Sequence, residues 1–282
     1  MEFTQAVADR HSVRDFTGQP VSREDLVDIV RTAQQAPSWM NSQPWRVYAA
    51  TGRTLEEIKE RHAADAADGR KGRSDLPVVS RTEWSPATQT NMAELVERIG
   101  SDLGEAASDF QSAQARMFNA QAVLYVTIPV GSSLWSFHDL GAFTAMIALA
   151  AVDKGLGAIN AYELVRFPDE VRETLGIGAD ETVAVGIALG HPADSELAAF
   201  APSRVDVELT RSSRSRTEYS GLLTPPAQEE DEARGDGRAG EQDGGVEPRD
   251  LEVGQVLALE LDDEQSQCVS ADVQAQGEEH RS

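Results

Sequence analysis

The chain has 282 residues and a formal net charge of −23, from 48 acidic and 25 basic side chains. From Thr217 onward there are 18 acidic and 4 basic residues, so most of the excess charge lies in the tail and the preceding part is only moderately acidic. This balance makes nucleic acid and anionic membrane surfaces poor partners. The one cysteine, Cys268, excludes an intramolecular disulfide and a cysteine-based metal cluster.

The N-terminal segment predicts a cytoplasmic protein. MEFTQAVADR has acidic and polar residues where a secretory signal needs a basic start and an apolar block. The longest apolar run, residues 140–152, is shorter than the roughly 18 residues of a membrane-spanning helix, so no membrane association is expected.

The first two helices can be placed from local signals. Phe3 and Val7 lie four residues apart and indicate a short first helix. Ser22 is an N-cap signal for a second helix. This second helix is expected to end near Ala36, because Pro37 disfavours helical backbone in the residue before it.

A strand, a helix and a long loop are predicted next. Residues 45–49 follow a proline and read as a strand. Thr54 and Glu57 have the spacing of a capping box, which predicts the start of a third helix. His62 on this helix is interpreted as a surface residue. Residues 65–86 lack helical or strand periodicity and are read as a long loop, of which residues 69–86, with Trp84, are expected to form part of the substrate lid.

The middle of the chain carries the strongest apolar patterns. Helical spacing runs from Asn91 to Met117, and residues 121–129 form a β-rich run that predicts a central strand. Residues 140–152 carry almost no polar side chain. Such a helix either crosses the centre of a large fold or packs against another subunit.

The remaining elements are short. A strand is predicted at residues 157–161, and a helix opens at Pro168 and ends at Gly176, which stands at the C-cap position. Residues 182–189 read as a second buried strand. Residues 204–210 alternate apolar and acidic side chains, which predicts a half-buried strand that pairs within the chain or reaches a partner.

The last part of the chain has too few apolar residues to build a core. Residues 217–282 are therefore predicted to be a disordered acidic tail, in which only residues 251–261 are apolar enough to order. The resulting domain prediction is one folded domain over residues 1–216, followed by the tail at 217–282.

Common catalytic templates are missing from the sequence. There is no G-x-S-x-G elbow, Walker A loop or H-E-x-x-H motif, and the five histidines have no ligand spacing, so no metal site is predicted. Gly155 and Gly157 begin a G-x-G, but Asn160 stands where a third glycine belongs, which argues against a Rossmann fold. Arg10 and Arg204 are candidates for phosphate binding, or else solvated surface arginines.

Two segments carry a specific resemblance. Residues 36–48 (APSWMNSQPWRVY) join polar amides and hydroxyls to aromatic surface, and composition alone would make them a polar helix-to-strand loop. Residues 10–16 (RHSVRDF) place two arginines four residues apart. Together, in order and spacing, they resemble the nitroreductase family of flavin enzymes. The D-L-G-A-F, G-L-G-A and G-I-A-L-G-H-P segments that follow extend the resemblance to about residue 210.

The resemblance implies an α+β fold, with an antiparallel sheet flanked by helices in an intertwined homodimer and FMN bound at the subunit interface. It implies that Arg10 and Arg204 hold the FMN phosphate, and that Ser12 contacts ribityl or phosphate oxygens. Arg14 would lie at the pyrimidine edge, where a cation stabilises the negative charge of the reduced cofactor. The other implied cofactor-binding residues are His11, Pro37, Ser38, Trp39, Asn41, Gln43, Tyr162 and Glu163.

Ala161, Tyr162 and Glu163 fall where the family places backbone contacts to the flavin, although many members have Glu-Gly at this turn. No catalytic residue is named, because the cofactor carries the hydride chemistry. The implied function is electron transfer from NADH or NADPH to a flat, electron-poor acceptor such as a nitroaromatic or a quinone, by a ping-pong mechanism. The alternative is a flavin-binding sensor or interaction protein without turnover.

Overall fold

A computed structural model describes residues 1–206 of the chain, and residues 1–203 belong to one compact unit. Arg204 begins a second unit, of which residues 204–206 are described and are not in a strand. The rest of the predicted strand at 204–210, the domain boundary at residue 216, the tail at 217–282 and its apolar segment 251–261 lie outside the described residues.

Helices and strands alternate irregularly along the described chain. The helices are α1 (Phe3–Asp9), α2 (Arg23–Ala33), α3 (Gly52–Ala67), α4 (Pro86–Leu103), α5 (Asp109–Ala115), α6 (Leu134–Asp153), α7 (Pro168–Leu175) and α8 (Glu196–Ala199). The strands are β1 (Arg46–Thr51), β2 (Ala122–Pro129), β3 (Gly157–Asn160) and β4 (Glu181–Gly190).

The four strands form one antiparallel sheet in the order β1-β2-β4-β3. β2 is central and buried over all of its residues except Pro129, as its apolar sequence predicts. Two hydrophobic clusters contain the core, one with Leu55, Ile58 and Tyr125, the other with Leu124 and Phe143. The predicted antiparallel sheet flanked by helices is therefore confirmed.

The predicted N-cap of α2, the predicted C-cap of α7 and four of the predicted strands are all present in the structure. The Ser22 hydroxyl accepts the backbone N–H of Asp25 at 3.0 Å and caps α2. Gly176 ends α7 in the left-handed conformation, with φ of 65°. The strands predicted at 45–49, 121–129, 157–161 and 182–189 all occur, with shifts of one or two residues at their ends.

The predictions for α3 were wrong in two respects. The helix begins at Gly52 after an N-cap at Thr51, so the proposed capping box at Thr54 and Glu57 lies inside the helix. His62 is buried rather than at the surface, with 5 % of its area exposed. Leu55 and Ile58 on the same helix are also buried, and residues three and seven positions apart share one helical face. That spacing was the signal for the burial of His62.

The single helical segment predicted over residues 91–117 is divided in the structure. α4 starts earlier, at Pro86, where Ser85 caps it by accepting the N–H of Thr88 at 3.3 Å. It ends at Gly104, whose φ of 52° is incompatible with a continuing helix. A short turn and α5 follow, so helical spacing continued across a break that the glycine imposes.

α6 is longer than predicted and is buried on one side only. Leu140, Phe143 and Ile147 pack into the core, whereas Leu134 is 86 % exposed and Trp135 58 %. Among the described residues it is the one helix with the length and hydropathy to cross a membrane, and 44 % of its apolar window is buried inside the fold. Leu134 and Trp135, in its apolar N-terminal part, are therefore left uncovered by residues 1–206.

Candidate functional site

The RHSVR segment is fixed to the edge of the sheet. Ser12 forms a parallel bridge with Ala158 of β3, and the N–H of Val13 donates to the Ala158 carbonyl at 3.1 Å. Gly157 makes this approach possible, since a Cβ there would lie 2.6 Å from a methyl carbon of Val13. The backbone after α1 thus has a defined position beside β3.

Asp15 holds the other end of this segment. Its carboxylate accepts hydrogen bonds from Asn119 Nδ2 and Ser195 Oγ, both at 2.9 Å. Asn119 belongs to a run of three residues, 117–119, with φ between 48° and 60°. Such left-handed conformations cost about 1–2 kcal/mol each for residues other than glycine. Sequence reasoning did not identify Asp15, because both of its partners lie more than 100 residues away along the chain.

Arg10 and His11 of the segment differ in their side-chain contacts. Within residues 1–206, the half-buried Arg10 side chain has no hydrogen bond or salt bridge. The ring of His11 contacts the carbonyl oxygens of Asp9 at 2.7 Å and Ala198 at 2.9 Å. The His11 ring thus contacts its own chain, while the Arg10 donors are unused within residues 1–206.

Arg14 is packed between two aromatic rings. Its guanidinium carbon lies 5.3 Å from the ring centre of Phe110 and 5.4 Å from that of Phe200. Nη1 donates to the carbonyls of Ser12 at 2.8 Å and Phe200 at 3.4 Å. Burial lowers the pKa of Arg14 below its ordinary value, but an arginine remains charged at neutral pH. Both bonds use Nη1, so Nη2 and Nε keep their donors.

The loop after α2 is held in a strained shape. The N–H of Trp39 donates to the buried carboxylate of Asp139 at 2.9 Å, and the N–H of Gln43 donates to the Ser38 hydroxyl at 3.0 Å. Met40, Asn41 and Gln43 have φ between 42° and 57°. The side chains of Pro37, Trp39, Asn41 and Gln43 are exposed. The loop displays amides and aromatic surface, and Asp139, which sequence reasoning did not single out, anchors it.

The turn after β3 directs one predicted residue inward. The Glu163 carboxylate accepts from His62 Nε2 at 3.0 Å and from Arg166 Nη1 at 2.9 Å. Burial acts to raise the pKa of Glu163, but the hydrogen bonds from His62 and Arg166 outweigh it and lower the pKa. The N–H of Ala161 donates to the Gly186 carbonyl at 3.2 Å. Only the backbone of Glu163 and the half-exposed Tyr162 side chain remain for a ligand.

The two motif segments of one chain lie at opposite corners of the sheet. Ser12 pairs with β3, and Arg46, which follows the exposed loop, begins β1. Four strand spacings therefore separate the two residues, a distance of about 19 Å across the sheet. In the register of the sheet, Ala158 pairs with Leu189, and the pairing continues through β2 to Thr51 at the end of β1. Arg46 lies five residues before Thr51, which is about 17 Å along the strand. One small ligand therefore does not reach both corners of a single chain.

A charged cavity is found at a different place. It has a volume of about 610 Å³ between α3 and α7 and is lined by Arg61, Ala64, Asp65, Arg70, Asp169, Glu170, Arg172 and Glu173. Its arginines already pair with carboxylates. It contains none of the predicted cofactor-binding residues. Among the described residues, no group of three or more His, Cys, Asp or Glu is placed to hold a metal ion.

The fold and these corners define a class of protein: an α+β protein with cationic groups at one edge of its sheet and an amide-rich aromatic loop at the opposite corner. A model of the nitroreductase family matches residues 7–191. The chain belongs to the nitroreductase family, and the predicted resemblance is confirmed.

Similar proteins include enzymes that act on nitroaromatic compounds. The chain is 31 % identical over 203 residues to a nitrobenzene nitroreductase of Ectopseudomonas oleovorans, covering 68 % of this chain and 86 % of that protein. It is 28 % identical to a 4-nitrobenzoate reductase of Nocardioides sp. strain LMS-CY, covering 73 % and 87 %. An FMN- and NADPH-dependent nitroreductase from Sphigopyxis sp. strain HMH has a similar solved structure, with a TM-score of 0.67, 26 % identity, and 73 % and 96 % coverage.

Proposed function

We propose that this chain is an FMN-dependent oxidoreductase that takes electrons from NADH or NADPH and passes them to a flat, electron-poor acceptor such as a nitroaromatic compound or a quinone. The observation that carries the proposal is the pair of signature arginines in the family's N-terminal motif. Arg10 has no partner among the described residues, and Arg14 is a partly buried cation whose Nη2 and Nε donors are unused there. The names of the similar enzymes support the same reaction class.

The donor set fits FMN. A phosphate needs cationic and hydroxyl donors, which Arg10 and Ser12 supply at the end of α1. A planar heterocycle with carbonyl and nitrogen acceptors needs fixed donors and flat apolar surface, which Arg14, Asn41 and Trp39 supply. Pro37, Ser38 and Gln43 shape the exposed loop that carries them, and His11 fixes the backbone beside Arg10. Arg204 remains a proposed phosphate ligand from the motif resemblance.

When bound, FMN supplies the capacity to accept a hydride and to release its electrons to an acceptor. The residues of the chain bind and orient it. The Arg14 cation, held by two carbonyls and two rings, favours a negatively charged pyrimidine edge and so raises the reduction potential. The Glu163 carboxylate, fixed by His62 and Arg166, holds the backbone of the 161–163 turn in one position.

We further propose that two chains build each site. The Ser12 corner and the Trp39 corner are too far apart in one chain to contact the same cofactor, but they meet if a second copy brings its own loop to the Ser12 corner. Apolar side chains exposed on the single chain favour such a dimer, since a monomer rarely leaves so many uncovered. These are Phe3, Val7, Trp39, Met40, Leu134 and Trp135.

We propose a ping-pong mechanism, in which the coenzyme and the acceptor bind one after the other at the same position. The nicotinamide ring and a nitroaromatic ring need the same stacking position, so one leaves before the other enters. No observation on the described chain favours the alternative of a flavin-binding protein without turnover. We also propose that the protein is cytoplasmic. The folded domain covers residues 1–216 and is active without the acidic tail.

The test starts with the purified protein. FMN absorbance at one cofactor per chain, loss of that absorbance on anaerobic addition of NADH or NADPH, and its return on addition of nitrobenzene would support the proposal. Steady-state rates at varied donor and acceptor concentrations should give parallel double-reciprocal lines. Bound FMN that neither coenzyme reduces would instead favour the sensor alternative, and a colourless protein that binds no added FMN would overturn both.

A further inference from the structure

The segment that follows α3 is fastened beside the Tyr162 turn. The N–H of Arg73 donates to the Arg166 carbonyl at 2.9 Å. The Asp75 carboxylate accepts from Arg172 Nη1 at 3.1 Å and from the N–H of Val183 at 2.6 Å. The first part of the loop predicted as a lid is therefore held against the fold, and exposed residues 77–85 remain for the lid role.

Gly72 lies at the point of closest approach. A Cβ at this position would be 2.6 Å from Cγ of Arg166 and 2.8 Å from the hydroxyl of Tyr162. Real side chains do not tolerate such distances, so the absence of a side chain lets the backbone pass directly beneath the Tyr162 hydroxyl. The residues on either side, Lys71 and Arg73, consequently start within a few ångströms of Tyr162.

Lys71 and Arg73 differ from the cations around them. Three neighbouring arginines pair with carboxylates: Arg70 with Glu170, Arg166 with Glu163, and Arg172 with Asp75. Within residues 1–206, the side chains of Lys71 and Arg73 are exposed and make no salt bridge or hydrogen bond. In a chain of net charge −23, Lys71 and Arg73 on either side of Gly72 thus form a pair of cations without an ion-pair partner among the described residues.

We propose that Lys71 and Arg73 form an anion-binding subsite that recognises the charged group of an incoming substrate. The inference rests on the proposed function and on the family resemblance, which implies that the turn at residues 161–163 contacts the cofactor. The ligand chemistry is a carboxylate on a nitroaromatic acceptor or a phosphate of the nicotinamide coenzyme. A guanidinium fork binds either group through two parallel hydrogen bonds, and the lysine adds a point charge.

The test compares matched substrates in Arg73→Gln and in the double variant Lys71→Gln/Arg73→Gln. The acceptor pair is 4-nitrobenzoate against nitrobenzene with NADH, and the coenzyme pair is NADPH against NADH with nitrobenzene. The ratio of kcat/KM for the more anionic member over the less anionic one should fall about tenfold for one pair, as expected for loss of one hydrogen-bonded charge. A fall for 4-nitrobenzoate assigns the carboxylate, and a fall for NADPH assigns the phosphate.

The matched control is Arg53→Gln, which removes the same charge from an exposed position in the first turn of α3. Arg53 is separated from the end of that helix by about 21 Å. The control should leave both ratios unchanged. In the wild type, kcat/KM for the preferred anionic substrate should fall as salt is added, and this dependence should weaken in the double variant.

Two results overturn the inference. The first result is an active double variant in which both kcat/KM ratios keep their wild-type values, or in which kcat/KM falls equally for the anionic and the less anionic substrates. Lys71 and Arg73 then do not select an anion, and the proposed function stands. If the wild-type protein carries no FMN or does not reduce nitrobenzene with NADH, the proposed function fails first, and the inference fails with it.

Discussion

Replacing His62 with phenylalanine tests whether the buried contact with Glu163 stabilises the fold. Phenylalanine keeps a ring of similar size, so the packing against Phe167, now 5.1 Å between ring centres, is largely preserved. The donor to the Glu163 carboxylate is lost. A hydrogen bond to a charged group contributes about 1.5–3 kcal/mol, so we expect the free energy of unfolding to fall by about 2 kcal/mol.

The measurement is urea unfolding of the wild type and the variant at equal protein and FMN concentrations, because bound cofactor shifts the apparent stability. The midpoint should fall with an unchanged m-value. A loss of this size lowers Tm by about 4–8 °C in a domain of this length. His62→Gln is the matched control, since its amide can still donate to Glu163, and its loss should be smaller.

The difference between wild type and His62→Phe should depend on pH in a defined direction. The pKa of Glu163 is lowered in the folded state, so its contribution is present above the unfolded value of about 4.3 and is lost as pH falls through the folded value. The two proteins should therefore converge in stability below that pH. Equal stability at pH 7, or a constant difference down to acid pH, would refute the reasoning.

Three further predictions concern separate parts of the chain. Arg14→Ala should keep FMN weakly and lower its reduction potential, because the cation beside the pyrimidine edge is gone; redox titration showing an unchanged potential with normal turnover would place Arg14 elsewhere. Tyr125→Phe should raise the free energy of unfolding by about 1 kcal/mol, because the Tyr125 hydroxyl is fully buried and has no partner among the described residues; destabilisation in urea would mean that the hydroxyl is hydrogen-bonded after all. Truncation after Arg216 should leave flavin content, oligomer mass and Tm unchanged, and loss of the dimer would show that the acidic tail contributes to assembly.

Features of the fold that depend on adjacent residues could be predicted from the sequence. The cap at Ser22 and the helix end at Gly176 each depend on residues within four positions of the end of the helix. The continuous apolar run of β2 predicted a central strand, because both of its faces are covered. In contrast, the break at Gly104 was missed, because the helical spacing of apolar residues resumes on the far side of the turn.

The groups that hold the site were harder to predict, since their partners are distant in sequence. Asp139 anchors the loop at Trp39 across 100 positions, and Glu163 meets His62 across 101. His62 was misread because its polar side chain was given more weight than the helical face that it shares with Leu55 and Ile58. The motif residues themselves were found from the spacing of two short segments, and the resemblance implied that the second segment reaches the cofactor from the other subunit. The sheet topology adds the distance between the two segments in one chain.

A mixed dimer tests the central claim, that two chains share each FMN site, most directly. One chain carries Arg10→Ala, and the other carries Ser38→Trp and Asn41→Ala; each homodimer should be inactive. In the heterodimer, purified through two different tags, one site collects both defects and the other has none. We expect about half of the wild-type activity and one FMN for two chains. Activity that stays at the level of the parent homodimers would show that each site is built from a single chain, and would contradict the account.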